Sequence, residues 1–180
     1  MFALLKAVCY LIGHLPLGVL IFFGKVFGRL VYLVDKRHRK TTIENLKKAF
    51  GNVKPDSEIE IIAKKVFENI AVNFFEFMRV PWLKREDLEG YVECEGFENF
   101  KEAFDGKKGV MVYTAHFGNW ELMAAYYGLM GYPSEIIERD LDNPGVEEFV
   151  KWARSRCGNT IVSKERVMRK LLKRLSENAV

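Results

Sequence analysis

The amino-acid sequence predicts an α/β protein with an N-terminal membrane helix, a helical region, and a mixed, mostly parallel sheet flanked by helices. Three observations lead to this prediction. They are an uncharged apolar stretch near the N-terminus, a helical apolar period over residues 59–78, and an alternation of short β-rich runs with helical stretches from residue 109 onward. The 180 residues, 49% of them hydrophobic, exclude disordered and low-complexity classes.

The N-terminal apolar stretch covers residues 7–24, which contain no Lys, Arg, Asp or Glu. As one helix it would extend about 27 Å, close to the hydrocarbon thickness of a bilayer. A transmembrane or deeply embedded anchor is the favoured interpretation, and an interfacial helix and a buried core helix are the alternatives. Pro16 would kink such a helix because it lacks a backbone N–H.

Charge is divided unevenly along the chain. Residues 1–40 hold seven Lys or Arg and one acid, for a net +6, whereas residues 41–180 carry a net −2. The basic block at 36–40 follows the apolar residues, which suits the cytoplasmic leaflet of a membrane. We therefore expect a membrane anchor over 1–34 and a second domain over 35–180. The total of +4 is too small to indicate nucleic-acid binding.

The helical region begins with two predicted helices. Residues 41–44 resemble a capping box that opens a short helix through Phe50. Asp56 or Ser57 is a candidate N-cap for the next helix, which Pro81 ends.

The later part of the chain has a different pattern of apolar residues. Residues 109–115 form a short apolar run that predicts a buried strand. Further strands are predicted at 134–138 and 159–163, and helices at 119–130, 143–156 and 164–177. Strands that alternate with helices indicate a sheet that is at least partly parallel.

Several classes of site are not supported by the sequence. Cys9, Cys94 and Cys157 are odd in number and widely spaced, so neither a disulfide framework nor a zinc site is indicated. Dinucleotide, P-loop, serine-hydrolase and zinc-protease motifs are missing from the sequence. We expect a reducing, cytoplasm-facing location with no metal and no cofactor.

The chemically densest stretch follows the apolar run at 109–115. His116 and Glu121 form an H-x4-E pair, which would lie far apart on one continuous helix. With His116 in a turn and Glu121 in the first helical turn, the carboxylate can reach the imidazole and make it a better base. The helix N-terminus would favour a developing oxyanion, and Gly118 would allow close approach of a substrate. A purely structural pair is the alternative.

The stretch AHFGNWE around His116 and Glu121 closely resembles the H-x4-D/E motif of bacterial lipid A biosynthesis acyltransferases, the lauroyl/myristoyl transferase family. Two other segments support the resemblance. Asn45-Leu46 through Phe50 resembles the family's "NL…F" segment, and residues 139–144 resemble its "R-x-x-D-N-P" segment. The order of these segments along the chain is that of the family.

The resemblance implies a membrane-anchored enzyme on the cytoplasmic side of the bacterial inner membrane. It would move a fatty acyl chain from acyl-acyl carrier protein to a hydroxyl of a lipid A precursor, without a cofactor. His116 would be the general base and Glu121 would orient it. Arg139 would bind anionic groups of a substrate, and its alternative is a surface ion pair. Asn119 would position substrate or cap the helix.

Two further expectations come from the same resemblance. A basic set of side chains would meet an acidic carrier protein or lipid headgroups, or would simply form a solvated helix face. The set is Lys164, Arg166, Arg169, Lys170, Lys173 and Arg174. Family members are longer and continue into a strand with a "DQ" signature, so Ala179 and Val180 would be the first residues of an interior strand. A truncated, inactive membrane-binding chain and an acyltransferase for another glycolipid or phospholipid are therefore alternatives.

Overall fold

The computed structural model describes residues 1–88, 90–164 and 167–180, without the side chain of Lys170. Within these residues the protein is mostly helical, with a small parallel sheet. The elements are α1 (Phe2–Gly13), α2 (Leu17–Val34), α3 (Lys36–Phe50), α4 (Asp56–Phe77), α5 (Arg85–Leu88), α6 (Phe97–Asp105), α7 (Trp120–Leu129), β1 (Glu135–Glu138), α8 (Pro144–Ser155), β2 (Thr160–Ser163) and α9 (Met168–Ser176). A 3-10 turn covers Val80–Trp82.

The chain forms two compact units. One consists of Leu15–Glu76, which holds α2, α3 and nearly all of α4. In this unit α2 approaches α4 closely, because a Cβ built on Gly28 would lie only 2.5 Å from the carbonyl oxygen of Phe67. Tyr32, Ala63 and Phe67 form its small buried cluster. The absence of a side chain at Gly28 therefore permits the packing of these helices.

The other unit consists of Met1–His14 and Phe77–Val180. Its core joins residues that are distant in sequence, from α1, the end of α4 and helices α7 and α8. The buried members are Cys9, Phe77, Met78, Val80, Ala125, Phe149, Ala153 and Cys157. The burial of these side chains supplies the hydrophobic stabilisation that holds α7 and α8 in place.

The sheet of this second unit consists of β1 and β2, which are parallel and in register from Glu135 opposite Thr160 to Glu138 opposite Ser163. Asn159, which is buried, fixes the start of both strands. Its Oδ1 accepts a hydrogen bond from the Ser134 amide and its Nδ2 donates to the carbonyl of Ala124 in α7, both at 2.9 Å. The side-chain amide thus connects the start of β1 to helix α7.

The prediction of one continuous apolar helix over 7–24 is wrong. The chain breaks at residues 14–16, and Pro16 becomes the N-cap of α2 rather than a kink. The candidate membrane span moves accordingly to Leu17–Val34, the one described helix long and apolar enough to cross a bilayer. Its mean hydropathy is 1.9, and only 22% of it is buried in the protein.

The predicted capping box at 41–44 is also wrong. Helix α3 begins five residues earlier, where the Asp35 side chain accepts a hydrogen bond from the His38 amide at 3.0 Å. Thr41 lies inside the helix and donates its hydroxyl to the Arg37 carbonyl. The end of α3 at Phe50 and the start of α4 at Asp56 agree with the sequence prediction.

Residues 109–115 do not form the predicted buried strand. They are extended, but no strand is assigned to them among the described residues, and Met111 and Tyr113 are exposed. A strand requires a paired neighbour along its length. Here the backbone bonds to distant residues lie at the start of the segment, where the Gly109 amide donates to the Asn178 side chain and the Val110 amide donates to the Ala179 carbonyl. The strands predicted at 134–138 and 159–163 are confirmed as β1 and β2.

The helices predicted in the second half are confirmed with small shifts of their ends. Helix α7 lies within the predicted 119–130 and α8 within 143–156. Of the predicted helix 164–177, residues Met168–Ser176 form α9, whereas the described Lys164 and Val167 precede the helix. The division into a membrane anchor over 1–34 and an acyltransferase domain over 35–180 stays a prediction.

Candidate active site

A cavity of about 780 Å³ opens in the unit that contains the sheet. One wall is the extended segment of residues 110–115, here called the edge segment, and the other is β1. Polar side chains gather where these two walls end. They are His116, Glu121, Glu138, Arg139 and Arg154, and Trp120 lies beside them. Ligands of α/β proteins commonly bind at the carboxyl ends of parallel strands, and this end of the cavity has that position.

His116 lies in the turn between the edge segment and α7, and it is exposed to the cavity. Gly118, in the same turn, has φ +58°, a left-handed conformation that favours glycine. The turn lets α7 begin at Trp120, whose ring meets the imidazole edge-on at a centroid distance of 4.8 Å. The sequence prediction of His116 in a turn and Glu121 in the first helical turn is therefore confirmed.

The Glu121 carboxylate is held by two neighbours. Arg154 donates to it twice, from Nε to Oε2 at 2.9 Å and from Nη2 to Oε1 at 2.6 Å. The indole of Trp120 also donates to Oε1, at 3.1 Å. Within the described part of the chain no hydrogen bond joins Glu121 to His116, so that predicted contact stays a prediction.

Arg154 also donates to Glu138 at the end of β1, which makes it the centre of an ion-pair cluster. The side chains of Arg154, Glu121 and Glu138 are 13%, 16% and 18% exposed. Burial alone would lower the pKa of Arg154, but the hydrogen bonds and charges of the two carboxylates outweigh burial and raise that pKa above its ordinary value. Arg154 is therefore a permanent cation that lies between the two carboxyl groups.

Sequence reasoning missed Arg154 and Glu138. Arg154 lies 33 residues after Glu121 and belongs to no short motif. Helix α8 and strand β1 must both be placed before their side chains can be seen to meet. No local signal in the sequence identifies this cluster.

Asn119 caps a helix and Arg139 makes a surface ion pair, as their alternative interpretations predict, but the partner of Arg139 is Asp142 and not the expected Glu138 or Asp140. Asn119 is the N-cap of α7, and its Oδ1 accepts a hydrogen bond from the Leu122 amide at 2.9 Å. Arg139 lines the cavity, is 67% exposed, and makes a loose ion pair with Asp142 at 3.5 Å. Its guanidinium is thus accessible to an anionic ligand. Roles for both residues in substrate binding stay predictions.

The predicted basic set is only partly visible. Arg174 pairs with Glu135 and with Glu177, each at 2.6 Å, and Lys173 lies 3.8 Å from Glu177. Arg166 lies outside the described residues, as does the side chain of Lys170. Arg174 thus acts within the protein rather than as part of an unpaired basic face.

In a comparison with known protein families, the sequence model of the family described as bacterial lipid A biosynthesis acyltransferase matches residues 1–180. The chain belongs to this family. The family resemblance that the H-x4-E motif indicated is therefore confirmed over the whole chain.

A curated relative agrees with the assignment to this family. It is a lipid A biosynthesis lauroyltransferase of Escherichia coli (strain K12), 24% identical over 158 residues. The match covers 88% of this chain and 51% of the relative. The chain thus spans about half the length of that curated relative.

Proposed function

We propose that this chain acts in the transfer of a fatty acyl chain from acyl-acyl carrier protein to a hydroxyl of a lipid A precursor. The observation that carries the proposal is the position of His116, which lies exposed in the cavity at the N-terminal end of α7 beside Glu121. Family membership supports acyl transfer as the type of reaction. The donor, the acceptor and the residue roles belong to the proposal.

The proposed reaction needs one base and no covalent enzyme intermediate. His116 accepts the proton of the acceptor hydroxyl while the hydroxyl oxygen attacks the thioester carbonyl carbon. The C–S bond then breaks, and the carrier thiolate takes the proton from the imidazolium. The products are an ester and a free carrier thiol. Negative charge that develops on the carbonyl oxygen is favoured near the positive end of α7.

Glu121 is proposed to orient His116 and to stabilise its protonated form. A carboxylate has about four acceptor positions, and Arg154 and Trp120 use three of those on Glu121. One position on Oε2 remains for the imidazole. The two hydrogen bonds from Arg154 fix the direction of the carboxylate, which an orienting acid requires.

Arg139 is proposed to bind an anionic group of the acceptor. Its weak partner Asp142 is itself 94% exposed, so exchange of that partner for a phosphate has little cost. A planar guanidinium can donate two parallel hydrogen bonds to phosphate oxygens.

The proposed location is the cytoplasmic side of the bacterial inner membrane. Helix α2 is long and apolar enough to enter a bilayer, and the basic block at 36–40 follows it directly. Positive charge next to an apolar helix favours the cytoplasmic, anionic leaflet.

The test is the variant His116→Ala in isolated membranes that contain the full chain, supplied with acyl-acyl carrier protein and a lipid A precursor. We expect acyl transfer to fall by about a hundredfold or more, because the base is lost. His14→Ala is the matched control, since His14 lies outside the cavity and should leave activity intact.

Three results would contradict the proposal. Full activity of His116→Ala would exclude this base, and no turnover by the unaltered chain would favour an inactive membrane-binding protein. Mass spectrometry of the product lipids identifies the acceptor, and acylation of another glycolipid or of a phospholipid alone would contradict the lipid A assignment.

A further inference from the structure

Helices α2 and α4 pack closely side by side within the unit Leu15–Glu76. A Cβ built on Gly24 of α2 would lie 2.9 Å from the Cα of Val72 in α4. Four residues later, a Cβ built on Gly28 would lie 2.6 Å from the Cα of Glu68. Because a step forward in α2 matches an equal step back in α4, the two helices are antiparallel. Glycines at this spacing permit the close approach that is common between helices in membranes, so the pair forms one layer.

One side of this layer carries charge. Arg29 of α2 donates from Nε to Oε1 of Glu68 in α4 at 2.7 Å. The Arg29 side chain is 64% exposed. Lys25 is exposed one turn earlier on the same side of α2. Charged side chains in this position favour contact with water or lipid headgroups, and Lys25 and Arg29 are here called the basic side.

The opposite side of α2 is aromatic. Phe27 lies two residues before Arg29 and therefore about 160° away around the helix, and Phe23 lies one turn before Phe27. The aromatic surface continues onto α4. The Phe27 ring lies 6.1 Å from that of Phe75, and the Phe75 ring lies 6.3 Å from that of Phe74, measured between centroids. The two helices thus share one aromatic surface.

The side of α4 that faces away from the ion pair is also apolar. Ile70 lies two residues after Glu68, about 160° away around α4, and one turn before Phe74. Ile70 is 59% exposed and Phe74 is 55% exposed. Phe23 and Phe27 on α2 are each 50% exposed, and these four side chains are here called the apolar side. Exposed apolar side chains that continue across two elements mark an interaction surface.

The unit that bears the apolar side also holds the net positive charge of the protein. Residues 15–76 contain 11 Lys or Arg and seven Asp or Glu, for a net +4. The remaining residues contain 17 of each kind and have no net charge. Positive charge beside exposed apolar side chains is complementary to an anionic bilayer. It disfavours a second copy of this chain as the partner, because two such units repel each other.

We propose that α4 enters the surface of an anionic bilayer together with α2, and that the apolar side of both helices meets the acyl chains. If α2 alone entered the bilayer, Ile70 and Phe74 beside it would remain in water. The basic side then lies toward the headgroups, where Glu68 offsets the charge of Arg29. This inference rests on the proposed membrane location but not on the proposed reaction.

Tryptophan substitutions in the full chain test which side chains meet lipid. The vesicles combine phosphatidylglycerol with phosphatidylcholine that carries bromine on its acyl chains, and bromine quenches a nearby indole. The emission of the native tryptophans, measured in the unaltered protein, is subtracted. We expect the added fluorescence of Phe74→Trp to fall by about half or more relative to unbrominated vesicles, as that of Phe23→Trp does, because both side chains reach the acyl region.

Asn69→Trp is the matched control for the quenching experiment. Asn69 is exposed on α4, about 140° away from Phe74 around the helix. The substitution leaves the net charge unchanged, as Phe74→Trp does. We expect its fluorescence to be the same in brominated and unbrominated vesicles.

A pair of charge variants measures how much α4 contributes to membrane binding. Ile70→Asp with Phe74→Asp places two carboxylates on the apolar side. Ser57→Asp with Asn69→Asp adds the same charge at exposed positions of α4 outside the apolar side. We expect the first double variant to partition into the anionic vesicles about tenfold or more weakly than the second, because its carboxylates cannot enter hydrocarbon. Equal helical content by circular dichroism shows that both variants fold.

Four outcomes would overturn the inference. Quenching of only one of Phe23→Trp and Phe74→Trp would exclude a shared surface, and quenching of neither would also contradict the proposed membrane location. Equal quenching of Phe74→Trp and Asn69→Trp would exclude a defined apolar side. Equal partition of the two charge variants would exclude a contribution of α4. None of these measurements uses acyl transfer, so failure here is distinct from failure of the proposed reaction.

Discussion

Arg154 determines the electrostatic balance at the polar end of the cavity. It is the shared partner of Glu121 and Glu138, and all three side chains are largely withdrawn from water. Removal of one member of such a cluster is costly because the remaining charges lose their compensation while they stay buried.

We expect Arg154→Met to lower the free energy of unfolding by about 2–4 kcal/mol, because two partly buried carboxylates are then left unpaired. Urea unfolding measures this loss. Addition of Glu121→Gln and Glu138→Gln to Arg154→Met removes the unpaired charges and should recover at least half of it. If the three substitutions together lower the free energy of unfolding by the sum of their separate effects, Arg154 does not act as a charge partner.

Cys157 shows how burial acts on a single thiol. The side chain is buried, its sulfur lies 3.4 Å from the Val80 carbonyl, and burial raises its pKa from an ordinary value of 9.0 to about 11. The neighbouring charge of Arg156 opposes this shift only in part. The thiol is therefore protonated near neutral pH and is unsuited to act as a nucleophile.

The Cys157 pKa predicts a loss of stability in alkaline solution. In the unfolded chain the thiol ionises near pH 9, whereas in the folded protein it stays protonated until about pH 11. Stability is thus complete below pH 9 and declines as pH rises from 9 to 11. Urea unfolding across this range should show that Cys157→Ala loses less stability than the unaltered protein, by up to about 3 kcal/mol. The same change of unfolding free energy with pH in the two proteins would contradict this prediction.

For single residues, the sequence indicated which side chains belong to the candidate site, but it did not indicate which other side chains they contact. The spacing of His116 and Glu121 indicated a turn followed by a helix, because both features are local. The pairing of Glu121 with Arg154 depends on where α8 packs, which is a tertiary property that no local spacing encodes.

Among the elements, α7 has the most direct connection to the candidate site. Its start is fixed by the Asn119 cap and by the left-handed Gly118, and this start determines where His116 and Glu121 stand. The cap interpretation and the substrate-binding interpretation of Asn119 make different predictions for its variants.

Asn119→Ala should destabilise the protein by about 1 kcal/mol, because the Leu122 amide loses its acceptor. Asn119→Ser keeps an acceptor at the N-cap and should stay within about 0.5 kcal/mol of the unaltered protein. Thermal unfolding gives both values. If Asn119→Ser keeps stability but loses acyl transfer, the side chain positions substrate in addition to its cap.

The elements that the sequence predicted well are those whose determinants lie within them. Helix α4 has a clear apolar period, and α8 begins at Asn143 and Pro144, whose side chain and fixed φ suit a helix start. The edge segment failed as a predicted strand because its state depends on a neighbour and not on its own apolar residues. The break before α2 differs from the prediction of a kinked helix, because Pro16 serves as the N-cap of α2.

For the whole molecule, the uneven charge and the exposed apolar surface of α2 point to the same environment. The net +6 of residues 1–40 includes the block at 36–40 that follows α2. Phe23 and Phe27 on α2 are each 50% exposed, although large aromatic side chains usually contribute to a core. Exposed aromatic surface next to clustered positive charge is typical of contact with an anionic membrane.

We therefore expect the full chain to stay with membranes after alkaline carbonate extraction, and α2 to be responsible. The double variant Phe23→Asp with Phe27→Asp places two charges on the exposed side of α2, where each costs about 2–3 kcal/mol in the bilayer interior. It should move to the soluble fraction. The matched control, Thr41→Asp with Asn52→Asp, adds the same charge at exposed positions outside α2 and should remain with the membranes. Retention of the Phe23/Phe27 variant would show that α2 is not the anchor, and loss of both variants would show that membrane binding depends on net charge alone.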